Sequence, residues 1–277
     1  MRLGGPLFTA CDSPESWAAA VRAAGYRAAY CPLSPEADDA TVAAYARAAA
    51  DHDVVIAEVG TWSNPLSADE TERQAAIAKC IAGLDLAERI GARCCVNIAG
   101  SLGPTWDGPA AAHYTTEGFD AIVESVRTII DAVGPTRTAY TLETMPWTPP
   151  DSTGSYERLL WAIDRPAFGV HFDPVNLIHS PPRYFGNGDL IRAFVVRLGP
   201  RIRSCHAKDI TLRTNLTTHL DECRPGLGGL DYRVFLRALG GLDPDLPVML
   251  EHLPSAEEYA AAAEHLRGVA AELGQTL

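Results

Sequence analysis

Basic side chains are scarce in this sequence. Its 23 lysines and arginines are outnumbered by 35 aspartates and glutamates, so the formal net charge at neutral pH is −12. A chain of this charge is repelled by phosphodiester backbones and by anionic lipid surfaces. Binding to nucleic acid or to a membrane surface is therefore disfavoured, and a small neutral molecule is the expected partner.

The sequence also lacks paired cysteines and long apolar runs. Its seven cysteines are scattered, odd in number and without C-x-x-C spacing, which argues against a disulfide framework or a zinc ribbon. No run approaches the ~18 apolar residues of a membrane helix, and the first residues lack a signal-peptide pattern. These absences favour a reducing, cytoplasmic location. Nothing in the sequence sets the oligomeric state, so a homo-oligomer is among the expectations.

A third absence bears on the fold. Short β-branched runs alternate with Ala-rich amphipathic stretches eight times along the chain, which is typical of strand and helix units. The G-x-G-x-x-G turn that a doubly wound sheet places after its first strand is missing, so that competing fold is disfavoured. The sequence predicts an α/β fold, a single (β/α)8 TIM barrel in which residues 1–277 form one domain. The predicted strands are residues 4–10, 27–33, 54–62, 93–100, 138–145, 168–175, 202–210 and 247–253.

Polar residues stand at the ends of the last four predicted strands. They are Glu143 in TLETM, Asp173 in VHFDPV, His206 in SCHAKD and Glu251 in MLEHL. In a parallel barrel these ends meet at one mouth, and adjacent strands are ~4.8 Å apart. Taken singly, each residue has a common structural role, such as a salt bridge, a turn or core packing. Together, three buried carboxylates repel one another unless a cation or protons compensate them.

The predicted cofactor is one divalent metal ion. A donor set of three carboxylates and one imidazole favours Mn²⁺, with Mg²⁺, Co²⁺ or Zn²⁺ as alternatives. The stretch from Thr211 to Gly229 is the longest irregular segment, and loops of such length after a barrel strand usually cover a site. The sequence thus predicts a metal site under a long loop.

At these motifs the sequence resembles the sugar isomerase/epimerase superfamily with a xylose-isomerase-like barrel. That superfamily includes ketose 3-epimerases, hydroxypyruvate isomerases and inosose-processing enzymes. The resemblance rests on TLET, HFDPVN, SCHAKD, the RPGLGGLDYRVFL run and the terminal MLEHL, all between Glu143 and the residues after Glu251. It implies one divalent ion held by Glu143, Asp173, His206 and Glu251. It also implies that the two glutamates are the catalytic residues, placed on opposite faces of the substrate.

The resemblance is incomplete at the substrate. Epimerases of the superfamily hold substrate oxygens with a His three residues after the metal-binding Asp and with an Arg in the loop after strand seven. Here Asn176 replaces that His, and Arg213 is the nearest loop arginine. The change to Asn weakens the assignment of a ketohexose 3-epimerase. Lys208 and Trp147 are the other expected substrate contacts.

The chemistry of such a site follows from general principles. Removing a proton from carbon beside a carbonyl builds negative charge on the oxygen, and a metal ion stabilises the resulting enediolate by several kcal/mol. One carboxylate is the base, and a second returns the proton on the other face or at the next carbon. We therefore predict a metal-dependent isomerase or epimerase of carbohydrate metabolism, acting on a sugar or polyol-derived ketone.

Three alternatives remain at this point. A lyase of the same superfamily uses the same enolate to expel a leaving group, as in inosose dehydration or keto-glycoside cleavage. An endonuclease shares the barrel, but it needs a basic face and more metal ligands than this acidic chain offers. A non-catalytic sugar-binding barrel is the third. Weaker candidates for the pocket are Glu58, Trp62, Trp106, Met145, His171 and Glu222, for which core packing or a solvated loop position is the competing interpretation.

Overall fold

Eight parallel strands form a closed barrel in the computed structural model, which describes residues 1–277. Around the barrel the order is β1, β2, β3, β4, β5, β6, β7 and β10, while β8 and β9 form a separate antiparallel hairpin. The predicted (β/α)8 TIM barrel is therefore confirmed. The strands are β1 (Arg2–Gly4), β2 (Ala28–Tyr30), β3 (Val55–Gly60), β4 (Cys94–Asn97), β5 (Tyr140–Glu143), β6 (Phe168–Phe172), β7 (Ile202–Ala207), β8 (Asp209–Leu212), β9 (Leu220–Cys223) and β10 (Pro247–Leu250).

Helices surround the strands. They are α1 (Pro14–Ala23), α2 (Asp39–Asp51), α3 (Glu70–Ile90), α4 (Thr116–Val133), α5 (Thr153–Ile163), α6 (Pro181–Phe185), α7 (Asn187–Leu198), α8 (Tyr232–Leu239) and α9 (Ala256–Glu272), with 3-10 turns at Ala111–Tyr114, Val175–Leu177 and Gly199–Arg201. Ser13 caps α1 and Ser255 caps α9 through their side-chain oxygens. At α3 the cap is Asp69, and Ser67 instead donates its hydroxyl to Glu72. None of these helices combines the length and apolar character needed to cross a membrane.

The first strand lies earlier than predicted, at Arg2–Gly4. Its backbone pairs with β10 from Arg2 to Gly4 and then leaves the ladder, because Pro6 follows and has no N–H to donate. A Cβ at Gly4 would lie 2.5 Å from the Met249 sulfur and 2.6 Å from the Ala28 carbonyl oxygen. Only glycine permits this close approach of neighbouring strands.

The segment predicted to be irregular, 211–229, contains ordered structure. β8 and β9 pair antiparallel, with Asp209 opposite Cys223 at one end and Leu212 opposite Leu220 at the other. Behind the hairpin, the Asp209 carboxylate accepts the backbone N–H groups of Gly226, Gly228 and Leu230 at 2.9 to 3.0 Å. A Cβ at Gly228 would lie 2.3 Å from that carboxylate, so glycine is required there. Asp209 therefore anchors the loop.

Helix α5 fixes the ends of the two strands that carry the first pair of predicted ligands. The buried Tyr156 hydroxyl donates to the Leu142 carbonyl oxygen at 2.6 Å and accepts the His171 backbone N–H at 3.1 Å. Leu142 precedes Glu143 in β5, and His171 lies two residues before Asp173. The outer helix layer thereby sets the relative height of these strand ends, which decides whether their side chains can meet.

Glu88 joins the end of α3 to the segment before β5. Its carboxylate accepts backbone N–H groups of Thr136, Arg137 and Thr138 at 3.0 to 3.1 Å. Burial alone would raise the pKa of Glu88, but these donors outweigh it and lower the pKa to about 2. A carboxylate whose pKa is lower in the folded than in the unfolded chain stabilises the protein. This contribution is complete at pH values above the unfolded-state pKa, and it is lost as the pH falls toward 2.

We expect Glu88→Gln to lower the free energy of unfolding at pH 7 by about 1–3 kcal/mol, because the amide is a weaker acceptor for three N–H groups. The difference from the wild type should shrink as the pH falls from about 4.5 toward 2. Urea unfolding at a series of pH values measures both effects. Glu124→Gln on the exposed side of α4 is the control, and equal losses in the two variants would contradict the prediction.

Candidate metal centre

The four predicted ligands lie together at the C-terminal mouth of the barrel. Glu143 ends β5, Asp173 follows β6, His206 lies in β7 and Glu251 follows β10. Their ligand atoms are all within 4.8 Å of one another. His206 Nδ1 is 3.0 Å from Glu143 Oε1, 2.9 Å from Glu251 Oε2 and 3.8 Å from Asp173 Oδ2. The carboxylates therefore converge on one ring nitrogen.

The turn after β6 orients the Asp173 carboxylate. Its Oδ1 accepts the backbone N–H groups of Val175 at 2.9 Å and of Asn176 at 3.3 Å. Its backbone N–H and carbonyl both bond the Thr144 hydroxyl, at 3.1 and 2.7 Å. Pro174 cannot continue the strand ladder. One carboxylate oxygen is thus used by the turn, and Oδ2 is left to face the site.

Two buried oxygens in the cluster have no hydrogen-bond partner, Asp173 Oδ2 and Glu251 Oε2. Lys208 Nζ lies within ion-pair distance of both, at 2.9 and 2.7 Å, but not at hydrogen-bonding angles. Buried carboxylate oxygens normally find partners. Carboxylate oxygens that converge beside an imidazole nitrogen without hydrogen bonds are the arrangement that a divalent cation satisfies. The residues of this site therefore fit a divalent metal ion.

Lys208, which the sequence predicts to contact substrate, lies within the carboxylate cluster. Its side chain is 3% exposed, and Nζ is also 3.5 Å from Glu143 Oε1 and 3.3 Å from Glu222 Oε1. Burial alone would lower the pKa of Lys208, but the carboxylates of Asp173, Glu143 and Glu251 raise it well above its ordinary value. The lysine remains charged at neutral pH and partly balances the three carboxylates.

The two glutamates have different electrostatic environments. Burial raises the pKa of Glu143, and the charges of His206 and Lys208 offset this only in part. Burial would also raise the pKa of Glu251, but His206 and Lys208 outweigh it and lower the pKa to about 2. In the metal-free protein, Glu143 is therefore the glutamate that accepts a proton more readily. Pairs of carboxyl groups whose environments give them different pKa values are typical of acid–base sites.

A cavity of about 480 Å³ lies above the cluster. The Asn176 amide donates to Glu143 Oε1 at 3.1 Å, so Asn176 contacts both a predicted ligand and the cavity. Trp147 lines the cavity, and its indole N–H donates to the Asp107 carbonyl oxygen at 2.7 Å. The remaining lining residues include Trp62, Ile98, Trp106, Met145, Glu222 and His252. Three tryptophans thus line the cavity together with charged side chains.

Arg213 does not reach this cavity. Its side chain is 60% exposed, and its guanidinium pairs with Asp221 at 2.7 Å across the hairpin. The expectation that Arg213 contacts substrate is not supported by this position, because antiparallel pairing of β8 with β9 holds it on the outside. Glu222, on the partner strand, lines the mouth instead and also contacts His252 Nδ1 at 3.1 Å.

Glu58, only a weaker candidate in the sequence, contacts a predicted ligand directly in the structure. It projects from β3 into the barrel, 1% exposed, and its carboxylate accepts from His171 Nε2 at 3.0 Å and from the Ser204 hydroxyl. Its second oxygen lies 3.4 Å from His206 Nε2. Burial alone would raise the pKa of Glu58, but the two histidines lower it well below its ordinary value. The signal in the sequence was a glutamate within the apolar strand VVIAEVG.

Carboxylates lie beside both ring nitrogens of His206. Burial alone would lower the pKa of His206, but Glu251, Glu143 and Glu58 raise it well above its ordinary value, so the metal-free imidazole is protonated at both nitrogens. With an ion at the carboxylate cluster, Nδ1 would give up its proton to become a ligand, and Glu58 would accept from the remaining Nε2–H and hold that tautomer. We expect Glu58→Gln to lower Mn²⁺ affinity about 10- to 100-fold, because an amide can also donate and no longer selects the tautomer. Isothermal titration calorimetry measures this. Ser204→Ala removes only one bond to Glu58 and is the matched control, and equal Mn²⁺ affinity in Glu58→Gln and wild type would refute the role.

The fold and the site define a (β/α)8 barrel with a buried cluster of potential metal ligands at its mouth. Residues 18–269 match the family described as "Xylose isomerase-like TIM barrel", which is most of the chain. The chain belongs to this family. No sequence among the curated proteins matches it significantly.

Solved structures share the architecture at low identity. One is D-psicose 3-epimerase with D-tagatose from Clostridium cellulolyticum H10, 14% identical, with a TM-score of 0.66 and coverage of 97% of this chain and 99% of that one. A xylose isomerase-like TIM barrel protein from Mycobacterium smegmatis in complex with magnesium is 20% identical, with a TM-score of 0.64 and coverage of 93% and 90%. A probable 3-DHS dehydratase from Bacillus anthracis is 16% identical, with a TM-score of 0.66 and coverage of 92% and 93%. These likenesses show the fold.

Proposed function

We propose that this protein, with residues 1–277 acting as one domain, is a divalent-metal-dependent isomerase or epimerase. Its substrate is a sugar or a polyol-derived ketone, and the reaction moves a proton on carbon next to the carbonyl. The observation that carries the proposal is the convergence of Glu143 and Glu251 on His206 Nδ1 at 3.0 and 2.9 Å. They stand at the ends of β5 and β10, with β6 and β7 between them, and the proposal places the two carboxylates on opposite faces of the bound substrate.

Glu143, Asp173, His206 and Glu251 are the residues that would hold the ion, and their oxygen-rich donor set favours Mn²⁺ over Zn²⁺. The magnesium complex of the Mycobacterium smegmatis neighbour supports a divalent cation in this fold. When bound, such an ion supplies positive charge where negative charge develops on the carbonyl oxygen, which stabilises it by several kcal/mol.

The side chains of this protein perform the proton transfers. One of Glu143 and Glu251 removes the proton from carbon, and the other returns one from its own side of the substrate. Return to the same carbon inverts it, and return to the adjacent carbon interconverts aldose and ketose. The Asn176 amide holds the Glu143 carboxylate at 3.1 Å and offers a neutral contact for a substrate hydroxyl. Lys208 Nζ, buried beside both glutamates, offers a cationic one.

The walls of the cavity support a carbohydrate substrate. Trp62, Trp106 and Trp147 provide flat apolar surfaces for the C–H faces of a sugar ring, and polar groups lie below them. The D-psicose 3-epimerase neighbour was solved with the ketose D-tagatose in a barrel of this type. A ketone-bearing sugar or polyol therefore fits the cavity and the chemistry.

The test is a substrate screen in D₂O. Ketoses, inososes and 3-keto-glycosides are incubated with the Mn²⁺-loaded protein, and recovered material is examined by NMR and mass spectrometry. We expect deuterium at the carbon next to the carbonyl, together with an epimer or positional isomer. Absence of exchange in all three substrate classes would argue against the proposal.

A lyase is the second candidate, because the probable dehydratase from Bacillus anthracis shares the fold. The same proton removal then leads to loss of a group from the β-carbon. The screen distinguishes the two reactions, since an unsaturated or shortened product indicates elimination, whereas an isomer of unchanged composition indicates epimerisation or isomerisation.

A further inference from the structure

A second polar cavity lies at the opposite end of the barrel, where the strands begin. It has a volume of about 530 Å³. The segments that precede β4, β5, β6 and β10 form its walls together with Arg203, near the start of β7. Arg93, Arg137 and Arg203 line it, against a single lining carboxylate, Asp243. In a protein whose formal net charge is −12, this is a local excess of positive charge.

The three arginines differ in what they bond. Arg93 pairs with Asp243, and the mostly exposed Arg137 pairs with Glu88 at 3.7 Å. Arg203 is half-buried and has neither an ion pair nor a hydrogen-bond partner. Burial lowers the pKa of Arg203, and the neighbouring positive charges of Arg201 and Arg93 lower it further. The guanidinium of Arg203 is therefore uncompensated.

Two further donors at this cavity have no acceptor. The Thr138 hydroxyl is 7% exposed and unpaired, and the buried Nε of Arg93 is also unpaired. Buried donors in proteins are nearly always satisfied, so unpaired ones that line a cavity call for an external acceptor. Guanidinium and hydroxyl groups are donors of the kind that bind the oxygens of a tetrahedral oxyanion.

We propose that this cavity binds a phosphate-type oxyanion, either as free phosphate or as the phosphate group of a small metabolite. Arg203 supplies the charge, and Thr138 and Arg93 supply directed hydrogen bonds. The volume leaves room for the organic part of a small ester. The site lies at the end of the barrel away from Glu143, Asp173, His206 and Glu251, so the inference is independent of the reaction proposed for the mouth.

The experiment is titration of the purified full-length protein with inorganic phosphate at constant ionic strength, followed by calorimetry and by the thermal unfolding midpoint. We expect saturable binding and a midpoint that rises with phosphate concentration. Arg203→Ala should weaken phosphate binding by about tenfold or more, because a charge-assisted contact is lost. Thr138→Val should weaken it less. Without phosphate, Thr138→Val should fold at least as stably as the wild type, since the hydroxyl that it removes is unpaired.

Two controls locate the site. Arg192→Ala removes an equal charge from the exposed face of α7 and should leave phosphate affinity unchanged. Lys208→Met tests binding at the mouth and should also leave it unchanged. The proposal is overturned by absence of saturable binding, by wild-type affinity in both Arg203→Ala and Thr138→Val, or by loss of binding in Lys208→Met alone. Tighter binding of glycerol 3-phosphate than of phosphate would support a metabolite ester, and equal binding would support the free anion.

Discussion

Replacing Glu143 or Glu251 by glutamine is expected to slow conversion of the substrate to its epimer or isomer by a factor of about 10²–10⁴ in each variant. Glutamine has nearly the shape of glutamate, but its amide neither removes nor returns a proton at neutral pH. Because the proposal places one carboxylate on each face of the substrate, each variant should lose one of the two proton-transfer steps. The remaining carboxylate cannot complete the inversion alone.

Both glutamates are also proposed metal ligands, so the measurement must separate catalysis from metal binding. Product formation is measured at saturating Mn²⁺, and Mn²⁺ affinity is measured independently by calorimetry. Glu222→Gln is the matched control, since Glu222 lines the same cavity without touching His206. A wild-type rate of product formation in either Glu143→Gln or Glu251→Gln, with the ion bound, would exclude that residue as a proton carrier.

The barrel and its four clustered residues were predictable because both depend on local and repetitive features. Alternating apolar strands and amphipathic helices determine the barrel, and a barrel brings every strand end to one mouth. Once the strands are located, Glu143, Asp173, His206 and Glu251 follow from their positions at consecutive ends. Errors of a few residues in strand boundaries, as at β1, do not change this result.

The rest of the site depends on geometry that the sequence does not encode locally. Glu58 meets His206 across the barrel interior, 148 residues apart in the chain, and this contact depends on the stagger of the strands. Arg213 pairs with Asp221 on the outside of the hairpin while Glu222 lines the cavity, because strand pairing in the hairpin decides which side chains face the mouth. The contacts of Lys208 with Asp173 and Glu251 are likewise visible only in the structure.

Removal of divalent ions by chelation is expected to abolish exchange, and added Mn²⁺ to restore it. Without the ion, Lys208 and His206 are the only positive groups beside the three carboxylates, and neither presents open coordination positions to a substrate carbonyl and hydroxyl together. Metal analysis of the purified protein should find about one divalent ion per chain. An ion-free protein whose exchange is insensitive to chelation would overturn the metal requirement.

Asp173→Asn tests the same requirement at a single atom. The amide oxygen of asparagine can still accept the Val175 and Asn176 N–H groups that Oδ1 accepts at 2.9 and 3.3 Å, so the turn should be preserved. The negative charge at Oδ2 is lost, and we expect Mn²⁺ affinity to fall by about 100-fold or more. Replacing a residue that only supports a ligand already lowers metal affinity by about 10- to 100-fold.

Calorimetry with Mn²⁺ measures the loss of affinity, and Asp107→Asn at the same cavity is the control. The Asp173 carboxylate is not one of the two proposed proton carriers. Exchange that recovers at high Mn²⁺ concentration would therefore assign Asp173 to metal binding alone. Unchanged Mn²⁺ affinity in Asp173→Asn would remove Asp173 from the ligand set.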